Sequence, residues 1–302
     1  MKLDSLLTEQ RNPASTNIDQ LPTLEMLRVL NDEDARVSLA VRAELPKITT
    51  AVDHIAAKLG DGGRLFYTGA GTSGRLGVLD ASECPPTFNV PPDLVTGFIA
   101  GGDGALRRSI EGAEDSPEQG ASDLEAYGFS NRDVLVGIAA SGRTPYVIGA
   151  MDRAHSLGGT TIALACTSDA SISKHADIAI EVLCGPEAIT GSTRMKAGTA
   201  TKLVLNMLST GTMVKLGHVY GNLMVNVQQT NEKLRDRARR IVEQALELSS
   251  EEARALLVAA NGDVKAAIAM KLLDADVAVA HERLRAADGN LRRAIDAASP
   301  TS

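Results

Sequence analysis

The chain of 302 residues has few aromatic side chains and no long apolar run. Aromatic residues make up 3% of it and tryptophan is absent, so few side chains are available to stack against nucleic-acid bases or flat sugar faces. We find neither an apolar run of about 18 residues nor an apolar leader at the N-terminus. These absences predict a cytoplasmic protein with no membrane span.

Basic charge and metal-binding patterns are also scarce. Acidic residues outnumber basic ones by 38 to 31, giving a net charge of -7, which argues against nonspecific nucleic-acid binding. The 3 cysteines have no C-x-x-C spacing and the 5 histidines are scattered, so we predict no metal, no disulfide framework and no cofactor. Cys84 adjoins Glu83, but no motif brings a histidine to it, and we expect an ordinary buried thiol.

The most informative segment runs from Gly69 to Glu83. The apolar run at 65–67 predicts a buried parallel strand, and a loop rich in glycine and hydroxyl groups follows before a helix begins. Main-chain N–H groups of such a loop point past the carboxyl end of the strand, where open α/β sheets bind ligands. We predict an anion site here, formed by Gly71, Thr72, Ser73 and Gly74.

The same loop also fits the dinucleotide fingerprint G-x-G-x-x-G through Gly69, Gly71 and Gly74. That fingerprint requires an acidic residue about 20 positions further on, and the segment 84–92 is proline-rich without a carboxylate. No Gly-Lys-Ser/Thr follows the loop, which excludes a P-loop. We therefore do not expect nucleotide binding.

A second loop of the same kind follows the apolar segment 134–139. It contains Ser141, Gly142 and Thr144, and Pro145 is well placed as the first residue of a helix. Two such loops suggest one phosphate held by hydroxyl groups and main-chain amides. The alternative is that Ser141 and Thr144 only cap the helix, as these residue types often do.

The rest of the pattern divides the chain into three parts. Helices are predicted at 23–30 and 34–48, and another at 116–127. Strands are predicted at 64–68, 95–100, 134–139, 160–165 and 178–182, which is typical of a parallel α/β sheet. We predict boundaries at 1–50 for an N-terminal arm with helices, 51–220 for the sheet domain and 221–302 for a helical domain.

The C-terminal part contains an internal repeat, because the segment 260–268 recurs at 287–295. Each copy predicts a helix that ends at glycine, followed by an Asp or Asn that begins the next helix. One hypothesis is a partner-binding module resembling ubiquitin-associated folds. We favour a helical cap for the sheet or for a dimer, since such short helices must bury an apolar face.

The two loops resemble those of the SIS phosphosugar-binding family. More narrowly, the segments 8–12, 18–19, 69–83, 111–115 and 185–199 are similar to the N-acetylmuramic acid 6-phosphate etherases, and the last is shared with glucokinase regulatory protein. The resemblance spans nearly the whole chain. It implies a five-stranded parallel SIS sheet flanked by helices, an N-terminal helical arm, a small C-terminal helical domain, a phosphosugar substrate and a homodimer.

The resemblance also implies the reaction and its residues. Lactate would be eliminated across carbons 2 and 3 of the sugar, and water would then add, with Glu83 as the acid and Glu114 as the base. Arg194 and Lys196 are predicted to contact the lactyl carboxylate or the phosphate, unless they are solvated charges at a helix start. An aldose-ketose phosphosugar isomerase and a non-catalytic phosphosugar sensor stay open as alternatives.

The position of Glu83 raises a geometric difficulty. A helix from Ser73 to Glu83 would advance about 15 Å, at 1.5 Å per residue. Either the helix ends early and the chain turns back at 81–86, or Glu83 serves the active site of a second subunit. We expect the second arrangement, a homodimer with shared active sites, and the apolar-rich helix predicted at 197–216 offers a pairing surface.

Overall fold

The computed structural model describes residues 7–227 and 232–297. After short 3-10 turns, the N-terminal arm continues into helices α1 (Thr23–Asp34), α2 (Val37–Ala43) and α3 (Leu45–Gly60). The prediction of one helix over 34–48 is wrong, because the helix breaks at Glu44 and a new one begins with Pro46 in its first turn. Proline has no N–H to donate to a preceding turn, so it is favoured in the first turn of a helix, where that N–H would have no partner within the helix.

Five strands of the described residues form one parallel sheet with the order β2-β1-β3-β4-β5. They are β1 (Leu65–Gly69), β2 (Val95–Ile99), β3 (Val134–Ile138), β4 (Thr160–Ala165) and β5 (Ile178–Glu181). Helices α4 (Gly71–Phe88), α5 (Pro117–Ala126), α6 (Pro145–Ser156) and α7 (Lys196–Lys215) accompany them. The predicted α/β fold is confirmed, and each strand lies within one residue of its predicted bounds.

Helices cover both faces of the sheet. On one face, buried strand residues such as Phe66 and Leu135 share an apolar cluster with residues of α5 and α6. On the other face α4 approaches closely, since a Cβ atom added at Gly97 of β2 would lie 2.6 Å from the Cα of Val78. Glycine is therefore required at this crossing of helix and strand.

The chain forms two compact units. The first comprises the described residues up to Ser82 together with Pro92–Thr210, and it contains the sheet. The second comprises Glu83–Pro91 and the described residues from Gly211 onward, with its own apolar core. Its helices include α8 (Glu232–Leu246), α9 (Ser250–Ala259), α10 (Val264–Leu273), α11 (Val277–Ala286) and α12 (Leu291–Asp296). The three-part division at 50 and 220 stays a prediction.

The two copies of the repeat form the same turn in the second unit. Gly262 follows α9 with a φ of +84° and Gly289 follows α11 with a φ of +73°, which is the left-handed region that favours glycine. Asp263 and Asn290 then accept main-chain N–H groups at the starts of α10 and α12. The predicted sequence of helix, glycine and capping residue is confirmed. Among the helices described, none is both long and apolar enough to cross a membrane.

Candidate active site

The two predicted phosphate loops follow adjacent strands. β1 and β3 are paired in parallel with Gly69 opposite Ile138, so the loops after them leave the same edge of the sheet. The chain places β2 on one side of β1 and β3 on the other, and the strand order therefore reverses between β1 and β3. Open α/β sheets bind ligands outside the carboxyl ends of the strands at such a reversal.

The first loop brings the start of α4 very close to the strand before it. Gly71 has a φ of +54°, Thr72 is half-buried and Ser73 is buried. A Cβ atom added at Gly74 would lie 2.6 Å from the carbonyl oxygen of Gly69, so a larger residue would push the helix away. The first N–H groups of a helix have no acceptor within it, and here they lie at the binding edge of the sheet.

The second loop has a similar construction. Gly142 has a φ of +71°, and a Cβ atom there would lie 2.6 Å from the Cβ of Ala170. Ser141 is half-buried, and Thr144 is buried at the N-cap position of α6, where its side chain makes no capping hydrogen bond. For Thr144 the capping alternative is wrong, because the helix does not use its hydroxyl group.

A cavity of about 340 Å³ lies beside the first loop. The loop contributes Ala70 and Gly71 to its lining, and the segment after β2 contributes Glu111 and Glu114. Glu114 lies in a short 3-10 turn, Ala113–Asp115, and its side chain is exposed. The structure thus brings one predicted phosphate loop and one predicted catalytic carboxylate together, although they are distant in sequence.

Glu83 lies well along α4. The helix continues from Gly71 to Phe88, and Glu83 is exposed on it. Pro85 and Pro86 remove two main-chain donors near the C-terminal end of the helix but do not end it before Glu83. The alternative in which the helix ends early and turns back at 81–86 is therefore wrong.

A buried carboxylate joins α4 to α7 within the first unit. Asp80 of α4 is buried, and its Oδ1 accepts a hydrogen bond of 2.6 Å from the side-chain amide of Asn206. Burial raises the pKa of Asp80, although the hydrogen bond from Asn206 opposes this. Nothing in the sequence pattern distinguished Asp80 from the many solvated carboxylates of a chain with 38 acidic residues.

The last of the similar segments, 185–199, supplies one partner of a buried ion pair. The ammonium of Lys196 lies 2.5 Å from Oε2 of Glu33, and the two side chains are 2% and 4% exposed. Glu33 also accepts a hydrogen bond of 2.7 Å from the amide of Asn12. Burial alone would raise the pKa of Glu33, but the hydrogen bonds from Lys196 and Asn12 hold it below its ordinary value. Lys196 is thus engaged inside the protein, whereas Arg194 is exposed.

The segment 185–199 also contains the start of α7, which lies beside the first loop. The carboxylate of Glu187 is buried and accepts the main-chain N–H groups of Lys196 and Ala197, each at 2.9 Å, so it caps the helix. A Cβ atom added at Gly198 would lie 3.6 Å from the methyl group of Thr72. The start of α7 and the first loop are therefore neighbours in the first unit.

The cysteines and the metal-binding side chains add no further site. Cys84, Cys166 and Cys184 are buried and form no disulfide, as we predicted for Cys84. Among the residues that the structure describes, no group of three or more His, Cys, Asp or Glu side chains could hold a metal ion.

Family models match most of the sheet unit. The model of the glucokinase regulatory protein N-terminal SIS domain matches residues 47–155, and the SIS domain model matches residues 127–211. Among solved structures, a phosphoheptose isomerase from Francisella tularensis superposes with a TM-score of 0.52 at 20% identity, covering 64% of this chain and 100% of that one. At that identity the likeness shows the fold alone.

Similarity to curated proteins covers almost the entire chain. The chain is 56% identical over 295 residues to an N-acetylmuramic acid 6-phosphate etherase from Cronobacter sakazakii, and the alignment covers 98% of this chain and 99% of that protein. It is 55% identical over 296 residues to a protein of the same name from Salmonella choleraesuis, covering 98% and 100%. The resemblance predicted from the motifs is confirmed, and the chain belongs to the N-acetylmuramic acid 6-phosphate etherase family.

Proposed function

We infer that this chain cleaves the D-lactyl ether of N-acetylmuramic acid 6-phosphate, giving N-acetylglucosamine 6-phosphate and D-lactate. It is a carbon-oxygen lyase that acts on a phosphosugar. The observation that carries this conclusion is 56% identity over 98% of the chain to a protein of that name. The cavity supports the proposal because Gly71 of the first loop and Glu114 both line it.

The phosphate would be held by the two loops at the strand-order reversal. Its proposed ligands are the hydroxyl groups of Thr72, Ser73, Ser141 and Thr144, with the main-chain amide of Gly71. Gly74 and Gly142 allow the close approach of the backbone in the two loops, and their own N–H groups donate to the carbonyl oxygens of Ala70 and Ala139. The buried Ser73 and Thr144 support this proposal, because hydroxyl groups held inside the fold can donate to a phosphate without a strongly basic surface, which a chain of net charge -7 lacks. Local dipoles at two helix starts favour a dianion there.

Glu114 would act on the sugar as the base. With the 6-phosphate fixed, carbons 2 and 3 lie within about 7 Å of it, from covalent dimensions. In the open-chain sugar the carbon 1 aldehyde acidifies the proton on carbon 2, which Glu114 removes. The carbon 3 to oxygen bond then breaks, the electron pair leaves with lactate, and a carbon 2 to carbon 3 double bond forms.

Glu83 would act as the acid in the same reaction. It protonates the departing lactate oxygen and later removes a proton from the water that adds to carbon 3, while Glu114 returns a proton to carbon 2. Because α4 continues past Glu83, about 15 Å along the helix from Ser73, we propose that Glu83 serves the site of a partner subunit in a homodimer.

Arg194 and Lys196 are proposed to have different roles at the site. The exposed Arg194 is free to meet the lactyl carboxylate or the phosphate, and its planar guanidinium suits both anions. Lys196 is buried and paired with Glu33, so we propose that it supports the start of α7 next to the first loop and does not bind the substrate directly. We also propose a cytoplasmic location, which the three cysteines support because none is in a disulfide and thiols stay reduced there.

The reaction is tested by incubating the protein with N-acetylmuramic acid 6-phosphate in heavy-oxygen water. Label at carbon 3 of the product sugar is expected, because elimination followed by hydration takes that oxygen from water. Label in lactate alone would contradict the mechanism. Binding without any lactate release would indicate a sensor, and conversion to a ketose without lactate release would indicate an isomerase.

The shared site is tested by mixing two inactive chains. A Glu83→Ala chain and a Ser141→Ala, Thr144→Ala chain should regain activity on mixing, because a heterodimer with shared sites has one site free of both defects. Each chain mixed with itself is the control. Failure of heterodimers of verified composition to regain activity would mean that Glu83 acts within its own chain.

A further inference from the structure

The segment that carries Glu114 has no strand or long helix to hold its shape. It runs from the end of β2 at Ile99 to the start of α5, and it contains only two short 3-10 turns. Gly101, Gly102 and Gly112 in it all have positive φ values, of 87°, 67° and 72°. Such backbone is conformationally permissive, and its carbonyl groups need partners other than a regular ladder.

Arg75 supplies those partners. Its Nη2 donates hydrogen bonds to the carbonyl oxygen of Ala105 at 2.7 Å and to that of Arg108 at 3.5 Å, and its Nε donates to that of Leu106 at 3.1 Å. One guanidinium thus contacts three acceptors spread over four consecutive residues. A lysine ammonium lacks the planar fork that meets several acceptors at once.

Arg75 also belongs to the helix that begins with the first phosphate loop. It follows Gly74 directly in the first turns of α4, and it lines the same cavity as Gly71 and Glu114. Its side chain therefore bridges the element that would hold the phosphate and the segment that would supply the base. A displacement of about 1 Å at such a junction can cost about 10²-fold in rate.

We propose that Arg75 is a positioning residue for the elimination step, which sets the distance between Glu114 and a phosphate-anchored sugar. The proposal rests on the etherase function proposed above. It gives the arginine of the glycine-rich loop a role other than phosphate binding, because its Nε and Nη2 donors are directed at carbonyl oxygens of the Glu114 segment.

The test uses Arg75→Ala and Arg75→Lys in the full chain, with Arg107→Ala as the matched control, since Arg107 is an exposed arginine in the same segment. We expect kcat for lactate release to fall about 10–100-fold in Arg75→Ala with KM changed less than about threefold. Added guanidinium should restore part of the lost kcat. Affinity for N-acetylglucosamine 6-phosphate should stay within about threefold of the parent value, because the phosphate ligands are untouched.

A double-mutant cycle with Glu114→Gln separates positioning from a purely structural role. If Arg75 acts through Glu114, removing Arg75 from the Glu114→Gln chain should lower kcat less than about twofold further. Fully additive losses, a rise in KM alone, or a folded Arg75→Lys protein with the parent kcat would overturn the proposal. No lactate release by the parent protein would instead refute the etherase function itself.

Discussion

Two charged side chains of the matched motifs, Glu114 and Lys196, have opposite surroundings. Glu114 is exposed beside a cavity on an irregular segment, whereas Lys196 is 2% exposed and paired with Glu33. An ion costs several kcal/mol to desolvate unless it is paired, so Lys196 is confined to the place where its partner lies. An exposed carboxylate keeps its water until a ligand displaces it. Burial thus separates a carboxylate that a ligand can reach from a cation that is held inside the fold.

The largest expected effect is the loss of activity when the exposed Glu114 is replaced. Glu114→Gln should lower kcat by about 10²–10⁴-fold, because an amide cannot accept the carbon 2 proton. Thermal unfolding should be unchanged, since the side chain is exposed. Lactate release and a melting curve measure both. The control is Glu118→Gln, another exposed glutamate nearby, which should keep the parent kcat. Equal activity of the two variants would remove Glu114 from the mechanism.

Replacing the buried Lys196 should instead lower stability. Lys196→Met leaves the carboxylate of Glu33 buried without its closest cation, and we expect the free energy of unfolding to fall by about 3–5 kcal/mol. The matched control is Arg36→Met, which removes the second cation, at 3.2 Å from Glu33 but 70% exposed, and should cost at most about 1 kcal/mol. Denaturant titration measures both. Similar losses in the two variants would show that burial does not govern this pair.

The same pair predicts a pH dependence. The native pKa of Glu33 lies below its ordinary value of 4.5, so its ionised form stabilises the fold above about pH 4.5. This stabilisation is lost as the pH falls through the lower native pKa. The difference in unfolding free energy between the parent and Glu33→Gln should therefore be largest near neutral pH and shrink below about pH 4.5. A difference that stays constant down to about pH 3 would contradict the assignment.

The smallest predicted effect compares two hydroxyl residues that precede helices. Ser116 accepts the N–H of Gln119 at 3.1 Å and caps α5, whereas Thr144 makes no capping bond to α6. Ser116→Ala should therefore cost about 1 kcal/mol of stability, and Thr144→Ala less than about 0.5 kcal/mol. Thr144→Ala should raise KM instead, if its hydroxyl binds the phosphate. The reverse pattern in denaturant titration and kinetics would return Thr144 to a capping role.

Local patterns predicted most of the fold. The five strands, the helix at 116–127 and the turn of the C-terminal repeat depend on residues close together in sequence, and each was found as predicted. The break between α2 and α3 was missed because the helical periodicity continues through it. The sequence also did not decide whether α4 continues past Pro85, because it does not reveal which contacts stabilise the C-terminal end of that helix.

The particular side-chain contacts between distant residues could not be predicted from the sequence. Glu33 and Lys196 are 163 positions apart, and no pattern around Glu33 on α1 marks it as buried. Asn12 and Glu187 lie inside matched motifs, so a role could be suspected there but not its kind. Arg75 lies within the best-recognised loop, yet its acceptors are carbonyl groups in a segment about 30 residues further on.

The sequence by itself determined the α/β architecture, the family and the two loops, because strand periodicity, glycine conformation and helix starts are local properties. Only the tertiary structure decided which charged residues of the motifs are buried and which are exposed. It buried Lys196 with Glu33, left Glu114 open at a cavity and carried α4 beyond Glu83. The physical reason is that burial of a charge depends on which distant group can pair with it, and that partner is known only once the chain has folded.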